Sequence, residues 1–388
     1  MPGTQLDRLA ELLVRHCTRV RRGDLVTIVA EPLAMAAVEA VVRETLRAGG
    51  HPSFHPRSDR LRELLVRHGN DEQLRHISPF ESHRLATCDV IIVLVMRTDP
   101  IERDPPDPRR LAIAESARKE LLSLSLARGA AGALRYTLAE IPGERGASEL
   151  GMSLAEYEAW VYRACLLHRP DPVAEWDRLL KAQESMRAYL EDVRTLQFRS
   201  PAAPGRHDGT DLTVDVSGRT WINCGGSENM PDGELFSGPA GVDGVVNFTA
   251  PAWYRGTLVE GVRLAFRDGR VVEASATRNE AFLQAMLDSD DGSRAVGEIA
   301  LGTNYELTRV VGNPLFDEKV GGTFHLAVGA GFPQTGNANE SSLHWDLVSD
   351  LRPGATFEGS PGGTVLADGV VIQRDGIFTD PSWPRPGA

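Results

Sequence analysis

Cysteine is scarce in this chain. The four residues, Cys17, Cys88, Cys165 and Cys224, are scattered over 388 positions with no Cys-x-x-Cys spacing, which argues against a disulfide framework and leaves them as reduced, buried thiols. Basic charge is also in deficit. With 42 Lys and Arg against 54 Asp and Glu, the net charge is -12, and neither a nucleic-acid groove nor an anionic membrane surface is an expected partner, since both select a basic face. No apolar run approaches the roughly 18 residues that span a bilayer. The start, Met1-Pro2-Gly3-Thr4-Gln5-Leu6-Asp7-Arg8, has neither the basic opening nor the apolar core of a signal peptide. The chain therefore reads as cytoplasmic, acting on small molecules or peptides. No Gly-x-Gly-x-x-Gly turn follows the first apolar run, so no dinucleotide cofactor is expected. The segment Gly331 to Gly336 has the outer spacing of a phosphate loop, but Asn337 and Ala338 stand where Lys and Ser or Thr are required.

What is present is an ordinary globular composition, 41% hydrophobic and 25% charged, in a chain long enough for two domains. The apolar stretches Leu25 to Ala30 and Asp89 to Met96 are continuous rather than alternating, the pattern of strands buried on both faces. Helical periodicity covers 34–48, 58–68 and 108–128 around them, so the first part reads as α/β with a mostly parallel sheet. Two further helices are expected over 154–168 and 172–196, split by Arg169-Pro170-Asp171-Pro172. Beyond Gly205 the texture changes. Asp268-Gly269, Asp368-Gly369 and Asp375-Gly376 each separate β-prone runs, a strong hairpin signal. One helical stretch over 279–299 interrupts them. We expect an N-terminal α/β domain over 1–205 and a C-terminal α+β domain over 206–388, rich in antiparallel strands and carrying the chemistry. The boundary should lie near the Pro-Ala-Ala-Pro-Gly stretch at 201–205.

The chemistry is suggested by Ser341-Ser342-Leu343-His344-Trp345-Asp346-Leu347. In an extended strand, residues two apart share a face, so His344 and Asp346 converge while Leu343, Trp345 and Leu347 turn to a core. Taken alone, a His-x-Asp pair is more often a hydrogen-bonded couple than a set of metal ligands. His325, the only other histidine beyond His207, lies in a second β-prone run, and with His344 and Asp346 makes a 2-His-1-carboxylate set. Glu234 follows a Pro-Asp-Gly turn and reads either as a solvated turn carboxylate or as a ligand. Glu298, among small and apolar residues at the end of the expected helix, would need a cation or another partner if buried.

Five blocks resemble the M29 family of metallo-aminopeptidases. They are 229–239 (Asn-Met-Pro-Asp-Gly-Glu-Leu-Phe-Ser-Gly-Pro), 253–262, 296–304, 315–329 and 343–346 (Leu-His-Trp-Asp), and they occur in the family's order. The resemblance implies a dinuclear site of two divalent ions, Zn, Co or Mn with Fe possible, whose ligands fall on Glu234, Glu298, His325, His344 and Asp346. Glu298 is the candidate bridge between the ions. It further implies removal of the N-terminal residue from short peptides or small amides by a homodimer. Arg255, Glu260 and Lys319 lie in matching blocks, as pocket residues or ion-pair members.

One position departs from the family pattern. A tyrosine thought to assist catalysis is replaced here by Phe332, which has no hydroxyl to donate to a tetrahedral oxyanion. Tyr254, Tyr305 or Arg255 would have to supply that donor, or the chain is a weak peptidase or a non-catalytic binder. Alternatively the site serves another reaction, in the manner of the dihydroxypyridine ring-cleaving dioxygenases, with one iron on His325, His344 and Asp346.

Overall fold

Continuous apolar runs become parallel strands because only burial on both faces keeps such sequences out of water. In the computed structural model the described residues are 4–98, 107–202, 208–354 and 360–387. Residues 203–205 of the expected boundary stretch lie outside them. The chain divides into two compact units, Met1–Trp176 with Gly226–Pro231, and Asp177–Gly225 with Asp232–Ala388.

The first unit is built on a five-stranded parallel sheet in the order His51–Pro56, Leu25–Ala30, Val90–Val95, Arg135–Glu140, Asn229–Met230. Val26, Ile28, Val90, Ile92 and Leu94 are fully buried in it. The helix Met35–Arg47 turns Ala37, Val38, Ala40 and Val41 inward and stops before Gly49, whose φ of +84° no β-branched residue adopts readily. The helix expected over 108–128 is two, Pro108–Ala117 and Lys119–Ala130. No helix among the described residues is long and apolar enough to cross a membrane.

The second unit is α+β with antiparallel sheets. Asp268, Asp368 and Asp375 have φ of +50°, +47° and +49°, and the glycine after each is also positive. Two successive left-handed residues are what a type I′ hairpin requires, so all three Asp-Gly pairs turn hairpins of an eight-stranded sheet. The other sheet has five strands, in the order His344–Asp350, Thr323–Gly329, Val296–Gly302, Glu234–Ser237, Ile222–Cys224. One hydrophobic core joins the two sheets: Phe198, Leu212, Val242 and Leu264 from the larger, Ile299, Leu301, Phe324 and Leu326 from the smaller. The rings of Phe198 and Phe324 stack with centroids 4.3 Å apart.

Two helices are shorter than their periodicity suggests. The one beginning at Pro172 ends at Glu191, and Leu196 belongs to the strand Thr195–Ser200. The second is Glu280–Leu287, not 279–299. It is stopped by a polar turn in which Asp290 accepts hydrogen bonds from Gly292 N and the Ser293 hydroxyl, local bonds that compete with helix continuation. Val296–Gly302 is consequently a strand, and Glu298 sits within it rather than at a helix end.

Candidate metal centre

Four neighbouring strands of the five-stranded sheet each contribute to one side-chain cluster. Alternation places His344 and Asp346 on one face and Leu343, Trp345 and Leu347 in the core on the other. Across the sheet, Asp346 pairs with Ala327, and Ala327 with Glu298. His325, two residues before Ala327, faces the same way, as does Glu234, whose strand partner is Gly302. Ala327, paired between Glu298 and Asp346, carries only a methyl group.

Glu298 reaches this face only because of a bulge. Val296 pairs with Val328 and Glu298 with Ala327, so Gly297 is an extra residue with no partner opposite. Val296 can then lie in the core while Glu298, two residues on, points away from it. A Cβ at Gly297 would meet the Ala330 carbonyl oxygen at 2.1 Å.

Distances within the cluster are short. Nε2 of His325 lies 3.5 Å from Oε1 of Glu298, 3.8 Å from Oδ1 of Asp346 and 3.9 Å from Oε2 of Glu234. Nε2 of His344 lies 3.5 Å from Oε2 of Glu298 and 3.5 Å from Oδ1 of Asp346. Nδ1 of His344 is 2.9 Å from the Ala330 carbonyl oxygen, so it carries a proton, and Nε2 is the ring nitrogen that faces the carboxylates and would face a cation. One atom each from Glu298, His344 and Asp346 fall within 4.8 Å of one another, close enough to hold a cation. Oε2 of Glu234 is buried with no hydrogen-bond partner. This nitrogen and oxygen donor set, with an orphaned carboxylate oxygen aimed into it, fits a divalent cation of the zinc, cobalt or manganese kind.

Electrostatics support the fit. Burial opposes charge on both imidazoles, but the surrounding carboxylates outweigh it, pushing His325 up to about 9 and His344 up to about 11. Burial likewise opposes charge on Glu298 and Asp346, and the two histidines hold both below the ordinary carboxylate range. Protons thus balance the carboxylates here, in places that cations can take. Glu234 moves the other way, raised by burial despite Lys319 and His325.

Glu234 is therefore not a solvated turn carboxylate. It is buried, and its Oε1 accepts a hydrogen bond of 2.6 Å from Nζ of Lys319, whose own second partner is Oε2 of Glu318 at 2.7 Å. Sequence reasoning singled out Lys319 without its partners and missed Glu318 altogether; the Glu-Lys pair inside an apolar block was the available signal. It also missed Gln183, whose amide nitrogen donates to the carbonyls of Glu234 and Cys224. Nor did it find Asp290, which accepts from the Ser342 N–H and the Ser341 and Ser342 hydroxyls just before His344.

Phe332 stands against the cluster. Its ring meets that of His344 edge-on at 5.3 Å between centroids and that of Phe236 at 5.2 Å. Arg255, at the tip of the hairpin Ala252–Tyr254 and Thr257–Val259, stacks its guanidinium over the Tyr254 ring. Tyr254 in turn stacks on Trp345, which points away from His344 and Asp346. No hydrogen bond or ion pair joins Arg255 to the five ligand candidates among the described residues. The Tyr305 hydroxyl donates to the Gly376 carbonyl, and Glu260 pairs with Arg278.

The family model of the M29 thermophilic metalloproteases matches residues 3–378. The chain belongs to that family. Among its relatives, Aminopeptidase 2 of Geobacillus stearothermophilus is 27% identical over 87% of this chain and 86% of its own. Aminopeptidase AmpS of Bacillus subtilis (strain 168) is 24% identical over 98% of each chain. The solved structure of wild-type AmpT from Thermus thermophilus superposes with a TM-score of 0.78 at 24% identity, covering 97% of this M29 chain and 99% of that one, which establishes the shared fold. All five ligand candidates lie within the matched M29 region.

Proposed function

We propose that this M29 chain is a metal-dependent aminopeptidase that releases the N-terminal residue of short peptides or small amides, using two divalent cations held by Glu234, Glu298, His325, His344 and Asp346. The observation that carries the reading is the position of Glu298. Its two oxygens face different imidazoles, Oε1 toward His325 and Oε2 toward His344, each at 3.5 Å. A carboxylate so placed is suited to bridge two cations and to offset part of their repulsion. The named activities of the relatives point the same way.

Two bound cations would supply a water of lowered pKa and polarise the scissile carbonyl. The chain's own residues do the rest. The Ala330 carbonyl holds the Nδ1 proton of His344, so that Nε2 is the nitrogen a cation would meet once it displaced the second proton. The hydrophobic backing of Trp345 and Leu347 locks the strand on which His344 and Asp346 ride. Phe332 stands edge-on to His344 without offering a donor, so a bound cation would have to supply the oxyanion stabilisation that a phenol there would give.

Ring-cleaving chemistry on a single iron would need open positions beside His325, His344 and Asp346. The Glu298 carboxylate, 3.5 Å from both imidazoles, stands in that space. The homodimer and the cytoplasmic location expected from the sequence belong to the same proposal.

The test is mass-spectrometric detection of free amino acids from a pool of di- and tripeptides, with protein reloaded with zinc, manganese or cobalt. Release is expected, and N-acetylation of the peptides should abolish it. A chain that binds the metals and releases nothing would be a binder, or a catalyst of another reaction.

A further inference from the structure

Lys319 is 1% exposed, the only lysine among the buried residues described. A buried ammonium is costly unless paired. Its backbone is held at both ends, by a bond from its own N–H to the Phe316 carbonyl and one from the Asn304 N–H to its carbonyl. The side chain then runs between two carboxylates, 2.6 Å from Oε1 of Glu234 and 2.7 Å from Oε2 of Glu318. The two oxygens of Glu234 are left in opposite conditions. Oε1 accepts a charge-assisted hydrogen bond, whereas Oε2 is buried, has no hydrogen-bond partner and lies 3.9 Å from Nε2 of His325.

We propose that Lys319 sets the denticity of Glu234: by occupying Oε1 it limits Glu234 to one ligand oxygen, Oε2, and so keeps one coordination position of the adjoining cation free for water or the substrate amine. Glu318 acts behind it, holding the ammonium on Oε1. Lys319 is thus a positioning residue. The inference rests on the reading of Glu234 as a ligand. It follows from general chemistry, since a carboxylate with both oxygens free can close on a divalent ion through both, and a catalytic ion needs an open position.

Cobalt substitution tests this without reference to turnover. Visible absorption of Co(II) weakens and shifts as coordination number rises. Wild-type protein, Lys319→Met, Glu318→Gln and Glu234→Gln are titrated with cobalt, and stoichiometry and spectra are recorded. Lys319→Met is expected to keep two cobalt ions while its visible bands lose intensity, and Glu318→Gln to change in the same direction by less. If Lys319→Met does not fold, Glu318→Gln carries the decision. Two bound cobalt ions with a wild-type spectrum in whichever of these variants folds would overturn the role of Lys319. Glu234→Gln separates the two ideas. Loss of one cobalt confirms Glu234 as a ligand whatever Lys319 does, whereas unchanged stoichiometry and spectrum would remove Glu234 from the site and the proposal with it.

Discussion

Val296 and Glu298, two residues apart on one strand, point to opposite faces of the sheet. Val296 packs in the core opposite Val328, while Glu298, opposite Ala327, faces His325 and His344. Regular alternation would put both on the same face. The extra residue, Gly297, makes the difference, and it has no room for a side chain beneath the Ala330 carbonyl.

Gly297→Ala should therefore harm both fold and site. The new Cβ must displace backbone, at a cost of about 2 kcal/mol or more, and the bulge that aims Glu298 shifts with it. Urea unfolding and metal analysis of the same preparation are the measurements. A variant with wild-type midpoint and metal content would show that the bulge tolerates a methyl group.

His344→Ala tests the ligand set. The His344 side chain is one-third exposed, so its truncation leaves little cavity, but it removes the imidazole that Glu298 and Asp346 face at 3.5 Å, and the metal-free protein should also lose stability at pH 7. Bound metal should fall by at least one ion per chain, with activity lost in step. Full metal content and full activity in this variant would remove His344 from the ligand set.

Phe332→Tyr should raise kcat with little change in KM. Phe332 lies edge-on to His344, and a phenol there would offer the oxyanion a donor of a kind worth about 100-fold in comparable sites. Steady-state kinetics on a dipeptide amide decide it. An unchanged kcat would mean that the cations already meet the oxyanion's needs.

Without metal, the cluster should become unstable as the solution turns alkaline. The ordinary histidine value is 6.5, and in the folded protein His325 is raised to about 9 and His344 to about 11. Their stabilisation is fully present below pH 6.5 and is lost as pH rises through the folded values. Chelator-treated protein should thus melt at a lower temperature at pH 10 than at pH 7. Metal-loaded protein should change much less, because cations in place of protons do not titrate in that range. Calorimetry should also show protons released when metal binds at pH 7. Equal melting of the chelated protein at both pH values would contradict the charge balance described here.

Much of the fold can be read locally. Continuous apolar runs at Leu25–Ala30 and Val90–Val95 do form parallel strands, and each Asp-Gly pair turns a hairpin. The pattern over 279–299 suggests one long helix because Leu283, Met286 and Leu287 keep helical spacing, and Val296, Ile299 and Leu301 then extend an apolar pattern whose period is ambiguous. The polar turn at Asp290, tied to Ser341 and Ser342 some 50 residues later in the chain, ends the helix.

The sequence by itself determined that His344 and Asp346 share a face, because alternation is a property of consecutive residues and needs no partner strand. It also carried the five family blocks in order. Tertiary structure alone decided that Glu298 faces them, since the bulge at Gly297 exists only in the pairing with Thr323–Gly329. Strand pairing likewise brought Glu234 and His325 to the same cluster, and burial bound Lys319 to Glu234. Those relationships depend on which strands pair, in which register and with how little water between them, and no local pattern encodes them.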